Sequence, residues 1–291
     1  MGSYTDIFNT NFKILKLVGF WSLKTKNLLK KRLYYIYQLF MIVQYAIFDL
    51  LQYFYLYNNR HSVEKFNYSL CVAIPNTVNL IKILNCLRNL PDINRLRENL
   101  NRRAENEKDD DCKRIIAKAA EEMKLINKWF YSGTYCFMLG FWVLLMPLWS
   151  KEKKTLPFPQ WFPYDYKITP YYELTWFYQI TAAVPIINVL ISVEVINFGF
   201  MLSMSAEYDA LKYRISKLKA CHNEINSEIQ NKEILGNIKE IIVRHQVIIE
   251  DVMKFEEMFW GFNFLQFLQG ALILSTVLFD VTAVSLKNEK F

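Results

Sequence analysis

Histidine is scarce in this chain. Among 291 residues there are three, His61, His222 and His245, and the five cysteines, Cys71, Cys86, Cys112, Cys136 and Cys221, contain no CxxC pair. Metal centres draw on closely spaced His and Cys ligands, so neither a metal site nor another cofactor is expected. Cys71, Cys86 and Cys136 fall in apolar stretches and Cys112 and Cys221 in basic-flanked ones, which leaves no disulfide framework. Ionisable residues are also rare inside the apolar stretches. Asp49, Lys82, Glu194 and Asp280 stand one to a stretch, whereas a membrane enzyme clusters titratable groups at one depth, so an enzyme is not expected. The amino terminus lacks a short apolar core followed by a small-residue cleavage site, so no cleaved signal peptide is expected. No internal repeat or low-complexity linker divides the chain, and 1–291 reads as one membrane domain.

What the chain has is apolar length. Hydrophobic residues make up 53% of it and aromatic residues 16%. A hydrocarbon core of about 30 Å needs roughly 20 apolar residues to cross as a helix. Five stretches reach that length: 33–56, 66–87, 129–149, 174–204 and 259–286. The fold class expected is therefore an all-α multi-pass membrane protein. Lys and Arg alternate between the intervening segments: 7 precede the first stretch, 10 lie in 89–128 and 8 in 205–258, so one side holds 25 and the other 8. The excess of cationic residues marks the cytoplasmic side and places the amino terminus there. The net charge of +7 then reflects flanks beside anionic lipid, with no nucleic-acid partner.

The fourth stretch, 174–204, would measure about 46 Å as a helix, longer than the bilayer core. It should continue into the cytoplasm, because Leu211, Ile215 and Leu218 keep helical spacing. A second amphipathic run follows from Ile234 to Met258, and the two are expected to pack together in the region 205–258; a helix lying on the membrane surface is the alternative. Segment 92–128, with Asp109-Asp110-Asp111 near Arg102-Arg103, reads as a solvated helical face with a flexible turn. Counting inward from the ends of the stretches brings Lys82 and Glu194 to similar depths, so an intramembrane charge pair is expected between them.

The most specific pattern lies between the third and fourth stretches. Leu156-Pro157-Phe158-Pro159-Gln160-Trp161-Phe162-Pro163-Tyr164-Asp165 is followed by Pro170, Tyr171 and Gln179. Prolines forbid regular structure there, while the aromatic residues supply apolar surface at the water boundary. This block resembles the second extracellular loop and following helix entry of insect odorant receptors, and the order of apolar stretches around it agrees along nearly the whole chain. The loop would form a lid, with Leu156, Pro157, Phe158, Trp161 and Tyr164 as its body. The membrane residues beneath it, Tyr68, Val72, Phe141, Leu144, Leu145, Tyr178, Gln179 and Ala182, would bound an apolar cavity suited to a small volatile organic ligand, ordinary helix packing being the alternative for each of them.

The resemblance implies a tuning subunit that gates a cation channel with the family's shared co-receptor, in the plasma membrane of olfactory neuron dendrites. It also implies a compact cytoplasmic anchor built from 205–258. A gustatory-type chemoreceptor is the neighbouring alternative, and the 156–165 block discriminates in favour of odorant. The family has seven spans and this sequence five. The carboxyl-terminal two helices, one of which lines the family's pore, are expected to be missing, leaving either a partial sequence or a non-conducting short subunit.

Overall fold

The computed structural model describes residues 4–21, 25–140, 154–222 and 228–288, and among them the regular structure is all helical. The helices are α1 (Tyr4–Leu17), α2 (Leu28–Asn58), α3 (Val63–Arg88), α4 (Leu90–Glu105), α5 (Asp110–Phe137), α6 (Tyr171–His222) and α7 (Glu228–Asn288). Their ends are written in the sequence. Asn27 opens α2 by accepting from the amides of Leu29 and Lys30 at 3.0 and 3.3 Å, which satisfies two of the amides a helix start leaves without partners. Pro91 sits in the first turn of α4, where its missing N–H costs nothing. Asp109 opens α5 by accepting from the amides of Asp111 and Cys112.

Helices α2, α3, α6 and α7 contain segments long and apolar enough to cross a membrane. They cover the expected stretches 33–56, 66–87, 174–204 and 259–286. The remaining stretch, 129–149, begins in α5 and leaves the described residues after 140. As expected, α6 carries its apolar stretch straight on into the polar one, as a single helix of 52 residues. α7 does the same in reverse over 61 residues. Large apolar side chains along α2, among them Leu33, Ile36, Phe40, Ile47 and Leu50, are exposed, the pattern of a surface that faces lipid.

The chain forms two compact units. One consists of Met1–Phe12, Asn89–Phe130 and Glu194–Trp260. Its core is aromatic: Phe8 stacks on Phe200 at 4.8 Å, and Phe255 stacks on Phe259 at the same separation. Gly199 makes that approach possible, since a Cβ there would stand 2.9 Å from the Phe8 ring.

Above this core runs a buried ion network that corrects the expectation for segment 92–128. The Glu107 carboxylate is fully buried, not solvated. Its Oε1 accepts from the amides of Lys108 and Asp109 and from Arg214, and its Oε2 accepts from Arg244 at 2.5 Å. Arg244 also pairs with Glu207, and Arg103 bridges Glu207 and Asp251. The turn between α4 and α5 is therefore fastened to the polar parts of both α6 and α7, which pack together as expected. Burial alone would raise the Glu107 pKa, but the Arg244 charge, the Asp109 amide and the two guanidinium hydrogen bonds hold it below its ordinary value. The Lys217 ammonium, hydrogen-bonded at 2.8 Å, likewise holds Asp109 low.

The other unit consists of Lys13–Arg88, Tyr131–Val193 and Gly261–Phe291. Here α2 and α3 run antiparallel across a short turn, joined by polar side chains that the apolar lengths conceal. Lys82 is buried on α3, and its Nζ donates to Gln266 Oε1 on α7 at 2.7 Å, a partner the sequence did not suggest. Cys71 Sγ and Thr276 Oγ1 join the same two helices farther along.

Candidate functional site

Segment 154–170 enters α6 without forming a helix or strand. An irregular backbone held against membrane helices must find hydrogen-bond partners within the protein. Two glutamines and α2 supply them. The Trp161 amide donates to the Leu51 carbonyl at 3.0 Å, and Gln160 Nε2 donates to the Phe48 carbonyl at 2.9 Å. Gln179, on the third turn of α6, treats Phe158 as a strand would. Its Oε1 accepts from the Phe158 amide and its Nε2 donates to the Phe158 carbonyl, both at 3.1 Å, while the same Nε2 donates to Gln160 Oε1 at 2.8 Å. At the helix start, Tyr164 Oη lies 2.8 Å from Thr175 Oγ1, and Tyr172 Oη donates to the Thr155 carbonyl at 3.0 Å.

The rings follow the same seat. Phe158 meets Phe48 edge-on at 5.4 Å and, like Ile180, Val184 and Ile187, packs against the buried pair Met138 and Ala183. Trp161 lies against Phe54 at 5.7 Å. Phe162 meets Tyr178 edge-on at 6.4 Å. One wall is thus α2, through Phe48, Leu51 and Phe54, and the other is the start of α6.

Of the residues expected to form the lid, Pro157 is buried, Leu156 and Phe158 are half-buried, and Trp161 and Tyr164 are exposed at their outer edges. Of those expected to line a cavity, Gln179 and Ala182 are buried on α6 and Tyr178 is half-buried. Tyr68 and Val72 lie on α3, and Tyr68 and the loop residue Tyr166 both lie within electrostatic reach of Tyr55. Phe141, Leu144 and Leu145 lie outside the described residues. Gln179 is therefore committed to holding the loop. Gln160, Phe48 and Leu51 belong to the same seat and were not singled out from the sequence as site residues. A lone amide between Pro159 and Trp161 in an otherwise apolar run was the available signal. Behind the seat, Tyr131 Oη lies 2.7 Å from Ser192 Oγ and Tyr135 Oη donates to Asn188 Oδ1, tying α5 to α6.

An irregular proline-aromatic loop running into a helix that carries a glutamine is the pattern on which the resemblance rests. A family model described as 7tm Odorant receptor matches residues 62–290. This chain belongs to the 7tm Odorant receptor family. Among solved structures, the odorant-receptor chain is similar to the insect olfactory receptor OR5 from Machilis hrabei in complex with eugenol. The TM-score is 0.75 at 15% identity, over 94% of this chain and 71% of that one. A second structure of that receptor aligns with a TM-score of 0.70 at 16% identity, over 94% of this chain and 70% of that one. At such identities the likeness establishes the shared all-helical receptor fold. No curated protein matches the odorant-receptor chain at comparable significance.

Proposed function

We propose that this odorant receptor is a ligand-tuning subunit of an odorant-gated cation channel. It takes a small volatile organic ligand into a transmembrane pocket beneath segment 155–170 and opens a cation path together with the family's co-receptor. The observation that carries this reading is the seat of the loop: the Gln179 and Gln160 amides are spent on loop and α2 backbone. With the glutamine amides engaged in this way, the pocket is read as bounded chiefly by aromatic and aliphatic surface, from Tyr68, Val72, Tyr178 and Ala182. Such walls select ligands by shape and dispersion. The complex of the Machilis hrabei receptor with eugenol supports a ligand of that class here.

The excess of Lys and Arg, 25 against 8, orients the amino terminus and the Glu107 network toward the cytoplasm. The chain is then a plasma-membrane protein whose loop 155–170 faces outside. Co-expression with the co-receptor tests the reading, with eugenol as the first ligand and a panel of volatile phenols and esters after it. An odorant-evoked cation current is expected, and Gln179→Leu should weaken its ligand sensitivity while the co-receptor's own agonist response is kept. A surface-expressed pair that answers no member of the panel overturns the proposal.

A further inference from the structure

Asp49 lies in the apolar length of α2 with 6% of its surface exposed. Its neighbours on the same face are Tyr45 and Gln52, and α3 meets them in antiparallel register. Tyr45 Oη donates to the Asn76 carbonyl at 3.0 Å and accepts from Asn79 Nδ2 at 2.9 Å. Gln52 Oε1 accepts from Asn76 Nδ2 at 2.9 Å. Between these two rungs, Asp49 Oδ2 and Thr77 Oγ1 stand 2.7 Å apart.

Thr77 is the informative residue, because a hydroxyl has one proton and two lone pairs. Its Oγ1 makes three contacts: Asp49 Oδ2 at 2.7 Å, Tyr53 Oη at 2.8 Å and the Ala73 carbonyl at 3.1 Å. The Ala73 carbonyl can only accept. If Asp49 were a carboxylate it too could only accept, and two acceptors would compete for the single Thr77 proton. If Asp49 is protonated, every contact has its hydrogen: Asp49 and Tyr53 each donate to Thr77 Oγ1, and Thr77 donates to Ala73. The other oxygen argues the same way. Asp49 Oδ1 is buried without a hydrogen-bond partner, a heavy penalty for an atom sharing a full negative charge and a light one for the carbonyl of a neutral acid.

Among the described residues, the surroundings show no ion pair to Asp49. On α2 the titratable residues facing the seam are Tyr45 and Tyr53. On α3 the nearest cation is Lys82, five positions further on, whose ammonium donates to Gln266. The loop seated on α2 carries no charged residue from Leu156 to Tyr164. In the amino-terminal segment whose Phe20 ring meets Tyr45 edge-on, Lys13 is exposed and Lys16 half-exposed.

We infer that Asp49 is a buried proton-binding site: it is carried in the membrane as a neutral carboxylic acid that donates to Thr77 and fastens α2 to α3. The site lies directly behind Phe48 and Leu51, the residues on which the loop rests, so the bound proton steadies the wall of the lid.

Infrared difference spectroscopy of the chain in lipid nanodiscs at neutral pH, wild type minus Asp49→Asn, tests this. The carbonyl band of a protonated carboxylic acid, shifted by deuterium exchange, is expected in the wild type and absent from the variant. Carboxylate bands in its place overturn the inference. Thermal melting supplies the second arm. Asp49→Asn keeps an N–H for Thr77 and should melt with the wild type, whereas Asp49→Ala and Thr77→Val should melt lower. An Asp49→Asn protein that fails to fold, or melts as low as Asp49→Ala, overturns it as well.

Discussion

Replacing Glu107 with Gln tests whether the turn between α4 and α5 is a fastening or a solvated connection. Glutamine keeps a carbonyl for the Lys108 and Asp109 amides, at 3.0 and 3.2 Å, but removes the charge facing Arg214 and Arg244. Breaking a buried ion pair from one side costs roughly 3–5 kcal/mol, because the remaining charge is left uncompensated. Arg244 retains Glu207 at 3.3 Å and Arg214 retains Glu240 at 2.9 Å, so the low end of that range, about 3 kcal/mol, is expected. The control is Glu122→Gln. Its partner Lys118 stands 3.9 Å away on an exposed helix face, where such pairs contribute under about 0.5 kcal/mol.

Thermal or denaturant unfolding in lipid nanodiscs should rank the two variants in that order. In a double-mutant cycle, Glu107→Gln with Arg244→Met should cost at least about 2 kcal/mol less than the sum of the single changes. Equal effects of Glu107→Gln and Glu122→Gln, or an additive cycle, would refute a fastening role. The pH dependence has a definite sign. The folded state holds Glu107 below its unfolded pKa, so its contribution is complete above the ordinary carboxylate range and is lost as pH falls through the lowered value. Glu107→Gln should accordingly flatten the acid limb of the stability profile.

Three further outcomes are expected. Gln179→Leu removes three hydrogen bonds to the loop and should lower stability by about 1–3 kcal/mol, since buried loop groups lose their partners; faster hydrogen exchange at Phe158 and Gln160 by mass spectrometry checks it. Gly199→Ala puts a methyl 2.9 Å from a Phe8 ring that is stacked on Phe200, so a loss of about 1–3 kcal/mol is expected, with recovery when Phe8→Leu is added. For the pair expected from the sequence, Lys82→Met and Glu194→Gln should each impair assembly, and the double change should be no worse than either; additive losses in surface expression would remove that pairing.

The apolar lengths of α2, α3, α6 and α7 and the loop were legible because each is a local composition: runs of apolar residues for the helices, and proline interleaved with aromatic residues for the segment that cannot be helical. The continuation of α6 past Met204 was legible for the same reason, through Leu211, Ile215 and Leu218. The ion network was not. Glu107, Glu207 and Arg244 lie in three distant segments, and each looks like an ordinary surface charge until the fold brings them together. α1 passed unnoticed although Phe8, Phe12 and Leu15, all buried, keep helical spacing, because a single short apolar stripe beside Lys13 and Lys16 does not announce what it packs against. Gln179 was recognisable as part of the pattern, but its partners are backbone atoms, which leave no trace in side-chain chemistry.

That last point bears on how the proposed pocket discriminates. An irregular loop at the membrane boundary leaves peptide groups that water would otherwise satisfy. A helix can offer a loop amide the second lone pair of a carbonyl, as Leu51 does for Trp161, but it cannot also donate to a loop carbonyl, because its amides are already paired along the axis. A glutamine projecting from a helix can, since its carboxamide carries the donor and acceptor of a peptide group at the end of a side chain. Gln179 does this for both polar atoms of Phe158, and Gln160 returns the favour to Phe48 on α2. The two glutamine amides of the seat are thus engaged by the loop and α2 before any ligand arrives. A ligand beneath it would gain little from hydrogen bonds to these amides unless it displaced the loop. Sensitivity to Gln179 and Gln160 should therefore be shared by all ligands of the receptor, whereas selectivity among them should follow the size of Tyr178, Ala182 and Val72.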